Sequence, residues 1–231
     1  MSKRKKKPPK SARQASAVEH ADAAIATRAG HYHRNPVVRL LGGASEIADQ
    51  PPLIATSLAT TAAGLLAKRP ELVGTGLRML ASELVATGLK HIVKRRIDRT
   101  RPYKMLKDGR YKLKHAGSGA SRASPWSSFP SGHTAGAVAT ARAIAHGYPQ
   151  LALPAGIAAG AIALIQVPRR THFPTDVVAG AAIGFLSEWL VDAAMRRFAP
   201  ASAGSAHPLE RDPPGMGIGL GQPHLERIAR G

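Results

Sequence analysis

The chain has 231 residues and no Cys, which excludes both a disulfide framework and a thiolate metal site. Aromatic residues make up only 4% of it, while Ala and Gly are abundant, a balance that argues against a β-sandwich and for closely packed helices with small interfaces. The formal charge of +19 is localised: residues 1–14 carry seven Lys/Arg and no acid, and residues 90–114 carry a net +9, so the rest of the chain is nearly neutral and the two clusters are suited to polyanions such as anionic lipid or phosphorylated substrates.

Residues 1–16 read as a disordered basic tail, Lys-rich and without apolar periodicity, serving as a topology determinant or an anionic-lipid tether. No apolar core or small-residue cleavage site follows it, so it is not read as a signal peptide. Residues 17–48 have weak helical character, broken at Gly30, Asn35-Pro36 and Gly42-Gly43. Val37, Val38, Leu40 and Leu41 fit the start of an interfacial helix, and whether this region crosses a membrane stays open.

Leu53 to Ala67 is uncharged and closed by Lys68-Arg69-Pro70. It is short for a span, which needs about 20 apolar residues, unless Pro51-Pro52 extend it. Leu72 to Val93 is a second helical run whose Arg78 and Glu83 require one face to meet protein or water. Residues 103–129 form a long polar, basic connection of the kind that is functional or mobile. Helix resumes from Ser131 to about Gly147, then over Leu151 to Val167, an uncharged candidate span, and from Asp176 to about Arg196 with Glu188 and Asp192 inside it. Residues 199–231, rich in Pro and Gly, read as a flexible tail. The expected fold is all-α: a helical bundle, integral to a membrane, with its functional residues at helix ends and its domain over residues 17–198. The competing expectation is a soluble helical core that buries the same segments.

Three stretches carry chemistry. Lys94 to Pro102 is a basic run directly after a helix. Lys94 and Arg101 are seven residues apart and share a face if the helix continues to Arg101, where Pro102 is expected to end it. Their ammonium and guanidinium groups suit phosphate oxygens, but such a run also serves as a membrane-flanking anchor. Pro130-Ser131-Gly132-His133 opens a helix. Ser131 is a good N-cap, the following N–H groups are anion-binding donors, and His133 can exchange a proton beside them. Ser131 equally well acts as a cap alone. Arg169 to Asp176 places His172 four residues before Asp176 at another helix start. Asp176 can orient the imidazole and fix its tautomer, or the two can simply cap the helix.

Lys94 with Arg101-Pro102, then Pro130-Ser131-Gly132-His133, then His172 with Asp176, in that order, resemble the type 2 phosphatidic acid phosphatase superfamily. That superfamily also holds bacterial acid phosphatases and vanadium haloperoxidases. The resemblance covers about residues 35–197. It implies a metal-free mechanism with no cofactor. His172 attacks phosphorus to give a phosphohistidine, Asp176 holds His172, and His133 protonates the leaving oxygen and then activates water. Lys94, Arg101, Ser131 and Gly132 hold the phosphoryl oxygens. One position departs: the family Arg six residues before the nucleophile falls on Gln166, and Arg169 is the first choice to replace its charge.

The resemblance implies a membrane phosphatase for a lipid phosphate or isoprenyl diphosphate, integral to a bacterial inner (cell) membrane rich in anionic lipid. Nucleic acid is not the expected partner. Alternatives are a vanadate-dependent haloperoxidase, which low aromatic content and small size oppose, and a non-catalytic membrane-associated binder of anionic lipid or other polyanions, which Gln166 keeps open. Family members commonly place the site on the extracytoplasmic side, whereas positive-inside bias puts residues 90–114 in the cytoplasm. Two spans before Lys94 put the site on the N-terminal side, and three on the opposite side.

Overall fold

The computed structural model describes residues 16–109, 111, 113–115 and 127–198. The tails expected at residues 1–16 and 199–231 lie outside these, except Ser16, which caps the first helix. Eight α-helices are described: α1 (Ala17–Gly30), α2 (Pro36–Ala44), α3 (Gln50–Leu66), α4 (Pro70–Lys94), α5 (Pro102–Asp108), α6 (Gly132–Gly147), α7 (Ala152–Ile165) and α8 (Pro174–Phe198). Short 3-10 turns at His31–Arg34, Ser45–Ala48 and Pro149–Leu151 join some of them.

Local chemistry sets most helix starts. Ser16 and Glu19 form a reciprocal capping box on α1. The Asn35 side chain accepts the Val37 N–H at α2, and the Ser131 hydroxyl accepts that of Thr134 at α6. Pro70, Pro102 and Pro174 each occupy the first helical position, where a missing N–H costs nothing.

The bundle is inside-out by soluble standards. Helix α6 lies at its centre and packs on α4, α7 and α8, while α3 packs on α4 as an antiparallel hairpin. The buried apolar residues are mostly Ala, including Ala135, Ala139 and Ala143, accompanied by buried Ser57, Ser82, Thr134 and Ser187. Large apolar side chains point outward instead: Leu58, Leu65, Leu77, Leu84, Leu153, Ile157, Leu164, Val178, Phe185 and Trp189 are all exposed. Small interior residues with bulky outer ones suit a bundle bathed in lipid, where close backbone approach drives helix association. Gly180 shows the mechanism: a Cβ there would sit 2.5 Å from the Ser131 carbonyl oxygen, so only Gly lets α8 approach the start of α6. Among the described residues α8 alone is both long and apolar enough to cross a bilayer, and the stretch Pro149–Ile165 is apolar but shorter.

Most of the buried charged residues are paired. Arg78 of α4 bonds Glu188 at 2.7 Å and Asp192 at 3.0 Å on α8, and Arg142 of α6 reaches Glu188 at 3.2 Å. These pairs lie in the half of the bundle away from Lys94, Gly132 and Pro174. They account for Arg78, Glu188 and Asp192, whereas Glu83 of α4, also buried, accepts from Thr87 at 3.0 Å and its other oxygen has no partner among the described residues.

Two expectations change. The helix before the basic run ends at Lys94, and Pro102 starts α5 instead of ending its predecessor, so Lys94 and Arg101 do not share a helical face. Between them Ile97–Arg99 forms a strand, β1, paired antiparallel with β2 (Leu113–His115) in a register that sets Ile97 opposite His115.

Candidate active site

The three motif stretches converge at one end of the bundle, around the loop between α7 and α8. That loop carries Arg170 in a left-handed conformation (φ 63°), a strained geometry for a residue with a side chain. The Arg170 Nε–H donates to the Gly30 carbonyl at 2.8 Å, and its own carbonyl accepts the Tyr103 N–H at 3.0 Å. His172 follows, with only 2% of its surface exposed.

The His172 ring has a defined tautomer. Its Nδ1 lies 2.8 Å from the Ser128 carbonyl oxygen, which can only accept, so Nδ1 carries the proton and Nε2 keeps a free lone pair. Burial pushes the His172 pKa down to about 4, opposed by Asp176 and reinforced by the nearby Arg101 and Lys94 charges. At neutral pH the residue is therefore an uncharged imidazole with a free Nε2, the form a nucleophile requires.

Asp176 stands 3.7 Å from His172 Nδ1, too far for a strong direct bond. Its Oδ2 accepts the Phe173 N–H at 2.8 Å and a short bond from the Ser128 hydroxyl. Its Oδ1 accepts from Arg99 at 2.6 Å. Asp176 thus holds the two residues that flank the imidazole, one on each side. Its backbone carbonyl also accepts the Ser131 N–H at 3.0 Å, tying the starts of α6 and α8 together.

The residues expected to bind an anion lie near His172. Lys94 ends α4 and reaches the Ser127 carbonyl at 3.4 Å. Arg101 precedes α5, and its buried Nε has no partner among the described residues. Ser131 is fully buried at the cap of α6, and Gly132 opens that helix with Lys90 packed against it. A phosphoryl group placed here meets two flexible cations and a positive helix end.

His133 lies in the first turn of α6. Its Nε2 is 3.4 Å from Glu46 and 3.7 Å from Asp49, acids that precede α3. The ligand atoms of these three residues lie within 4.8 Å of one another, a grouping the sequence did not single out.

Gln166 and Arg169 are committed elsewhere than expected. Gln166 is fully buried, and its amide donates to the Ser45 hydroxyl at 3.2 Å and the Ile162 carbonyl at 2.9 Å. Its side-chain oxygen accepts from Thr171 at 3.0 Å, and its backbone carbonyl accepts the His172 N–H at 3.3 Å. It braces the loop that carries His172. The Arg169 guanidinium donates to Ser45 at 2.7 Å and Glu46 at 2.5 Å, so it reaches the His133 side through Glu46.

Sequence reasoning missed Arg99, Asp22, Ser128 and Glu46. Arg99 is one of five cations between Lys94 and Arg101, and nothing local sets it apart. Asp22 and Glu46 fall in the weakly patterned region, each three residues from another acid, Glu19 and Asp49, and nothing local sets either apart.

Compared with curated protein sequences, the chain finds no match. Among solved structures it is similar to the first transmembrane PAP2 type phosphatidylglycerolphosphate phosphatase from Bacillus subtilis, at 23% identity and a TM-score of 0.56. That match covers 81% of this chain and 90% of the other. At that identity the likeness shows a common fold. The family model of the PAP2 superfamily matches residues 75–199, more than half of the chain, and takes in Lys94, Arg101, the Ser131–His133 turn, His172 and Asp176. This chain belongs to the PAP2 superfamily.

Proposed function

We propose that the protein is an integral membrane phosphatase that hydrolyses a lipid phosphate or diphosphate through a phosphohistidine on His172. Membership of the PAP2 superfamily supports a lipid phosphatase. The observation that carries the mechanism is the buried, neutral His172, its Nδ1–H donating to the Ser128 carbonyl so that Nε2 keeps its lone pair.

In the first step Nε2 of His172 attacks phosphorus in line. The bond from phosphorus to the leaving oxygen breaks, and His133 gives that oxygen a proton. In the second step His133 takes a proton from water, the hydroxide attacks phosphorus, the P–N bond breaks, and inorganic phosphate leaves. Lys94, Arg101, the Ser131 hydroxyl and the Gly132 N–H neutralise the charge that spreads over the phosphoryl oxygens. Arg169 acts on the same side by holding Glu46 beside His133. The outward Leu, Ile, Phe and Trp side chains place the bundle in a bilayer, and the acyl or isoprenyl chain of the substrate stays there. Phosphatidate, phosphatidylglycerol phosphate and isoprenyl diphosphates are the substrates to compare.

The test is phosphate release from that panel by detergent-purified protein, wild type beside His172→Ala. Turnover that disappears in the variant is expected. Turnover that persists in His172→Ala, or no release from any of the substrates, would overturn the proposal.

A further inference from the structure

We infer that Asp22 of α1 and Arg99 of β1 are positioning residues for the His172 nucleophile, so that α1, which lies outside the family match at 75–199, is part of the catalytic unit. The inference rests on His172 being the nucleophile proposed above.

The connection is continuous and buried. Asp22 and Arg99 are each 3% exposed. The Arg99 guanidinium is gripped on every side: one terminal nitrogen bonds Asp22 at 2.5 Å, and the other bonds Asp176 at 2.6 Å and the Thr175 hydroxyl at 2.7 Å. Its Nε–H donates to the Tyr111 hydroxyl at 3.1 Å, and its carbon lies 4.2 Å from the centre of the Phe173 ring. Tyr111 in turn donates to Glu19 of α1 at 3.0 Å. The planar fork of Arg, which a Lys lacks, makes this bridge between two carboxylates.

Asp22 also acts directly on the start of α8. Its Oδ1 accepts the Thr175 N–H at 3.1 Å, one of the donors that a helix leaves without an internal partner, and its Oδ2 accepts a short bond from the Thr175 hydroxyl. Thr175 is the neighbour of Asp176. Arg99 reaches the other side of the imidazole as well, because its backbone carbonyl accepts the Ser128 N–H at 2.9 Å. Ser128 is the residue whose carbonyl accepts the His172 Nδ1–H. Asp22, Arg99 and Asp176 therefore form a buried chain of alternating charge that clamps both supports of the ring.

Removing the Asp22 charge leaves Arg99 with Asp176 as its only carboxylate partner among the described residues. The guanidinium then draws on Asp176 without restraint and releases Thr175, and both His172 supports shift. Neither residue is needed to hold phosphate, which falls to Lys94, Arg101 and the start of α6. The expected signature is a fall in kcat with KM unchanged.

The experiment compares full-length, detergent-purified wild type, Asp22→Asn, Thr175→Val and His172→Ala on the best lipid phosphate, with rates normalised to folded protein and thermal unfolding measured alongside. Thr175→Val removes the hydroxyl that Asp22 and Arg99 share while keeping every charge, so it tests the clamp even where Asp22→Asn fails to fold. Expected are a loss of about 10- to 100-fold in kcat for Asp22→Asn, the cost of displacing reacting groups by about an ångström, a smaller loss in the same direction for Thr175→Val, and KM within about twofold of wild type. His172→Ala is inactive. Wild-type kcat in folded Asp22→Asn or Thr175→Val, or losses that vanish on normalisation to folded protein, would overturn the inference and leave the phosphatase reading intact. Activity in His172→Ala would overturn the nucleophile, and the inference with it.

Discussion

The His172 Nδ1–H donates to the main-chain carbonyl of Ser128 at 2.8 Å, while Asp176 stands 3.7 Å away and accepts from the Ser128 hydroxyl instead. The carboxylate therefore orients the ring through its neighbours more than by direct contact. It follows that the two supports differ in weight. Ser128→Ala keeps the carbonyl and loses only the bond to Asp176, and a fall in kcat of about tenfold or less is expected. Asp176→Ala loses that bond, the bond to Phe173 and the Arg99 pair together, and a fall of about a thousandfold or more is expected, as for removal of an orienting carboxylate from a catalytic triad. Steady-state kinetics on one lipid phosphate separates the two. Equal losses would mean that Asp176 acts on the ring wholly through the Ser128 hydroxyl, with nothing contributed by its bonds to Phe173 and Arg99.

The lowered pKa of His172 has a sign that can be followed in acid. Its folded value of about 4 lies below the ordinary 6.5, so between these limits the unfolded chain binds a proton that the folded protein does not. Stability from this residue is complete above about pH 6.5 and declines as pH falls towards 4, by about 3 kcal/mol in total. Thermal unfolding of wild type is expected to weaken across that window more than that of His172→Gln, which has no such proton to gain. The contribution of His172 to kcat/KM should stay flat down to about pH 4 and fall below it as the imidazole charges. An acid limb from His172 near pH 6.5 would contradict the buried, neutral ring.

Much of this arrangement is legible in the sequence because it depends on local rules. Ser131 caps α6, Pro174 starts α8 and the long apolar runs become α3, α4, α7 and α8, each by capping, Pro placement or composition within a few residues. Pro102 misleads because Pro serves both after a helix and at the first position of the next, and only the second applies here. The β1–β2 pair was not foreseen because its partner strands are separated by a polar stretch without alternation. Asp22, Arg99 and Glu46 take their roles from contacts between elements far apart in sequence, and no periodicity records those. Gln166 stands where the family has an Arg, and its bonds to Ser45 and Ile162, far apart in sequence or within its own helix, make it a brace for the His172 loop.

That brace yields a prediction about restoring the family residue. Gln166 is fully buried and uses both ends of its amide, so Gln166→Arg adds volume and a charge where Ser45, Ile162 and Thr171 already close around the side chain. Overpacking and an unpaired buried charge each cost about 1–3 kcal/mol or more. A lower unfolding temperature with no gain in phosphatase activity is expected. A more active, equally stable Gln166→Arg protein would show that this pocket admits a guanidinium facing the substrate.

The far half of the bundle is held by charge. Arg78 is the shared partner of Glu188 and Asp192, and its side chain and that of Glu188 are 9% and 3% exposed. Arg78→Ala leaves Glu188 with Arg142 alone, and the loss of a partner from a buried pair costs about 3–5 kcal/mol. A large drop in unfolding temperature with unchanged KM in the protein that remains folded is expected, because the residues proposed to bind phosphate sit at the other end of the helices. Unchanged stability would mean that water already reaches these carboxylates.

The path of the chain also sets the side of the membrane on which chemistry occurs. Helices α3 and α4 form a hairpin before Lys94, and no further pass precedes them among the described residues, because α1 and the segment before α3 bond the site itself through Asp22 to Thr175 and Glu46 to His133. The N-terminal helix and the active site therefore share one face of the bundle. Helix α6 leads away from it over 16 residues, about 24 Å, so its far end at Gly147 lies on the opposite face. Positive-inside bias assigns the face with the basic run from Lys90 to Arg101 to the cytoplasm, the reverse of the usual family orientation. The chain has no Cys, so single introduced thiols report cleanly. His20→Cys and Gln150→Cys, both at exposed positions, are expected to react with a membrane-impermeant maleimide from opposite sides, His20→Cys only in inside-out vesicles. Labelling of both from one side would contradict the two-pass path to Lys94, and labelling of His20→Cys only from outside would keep that path but turn the site to the exterior.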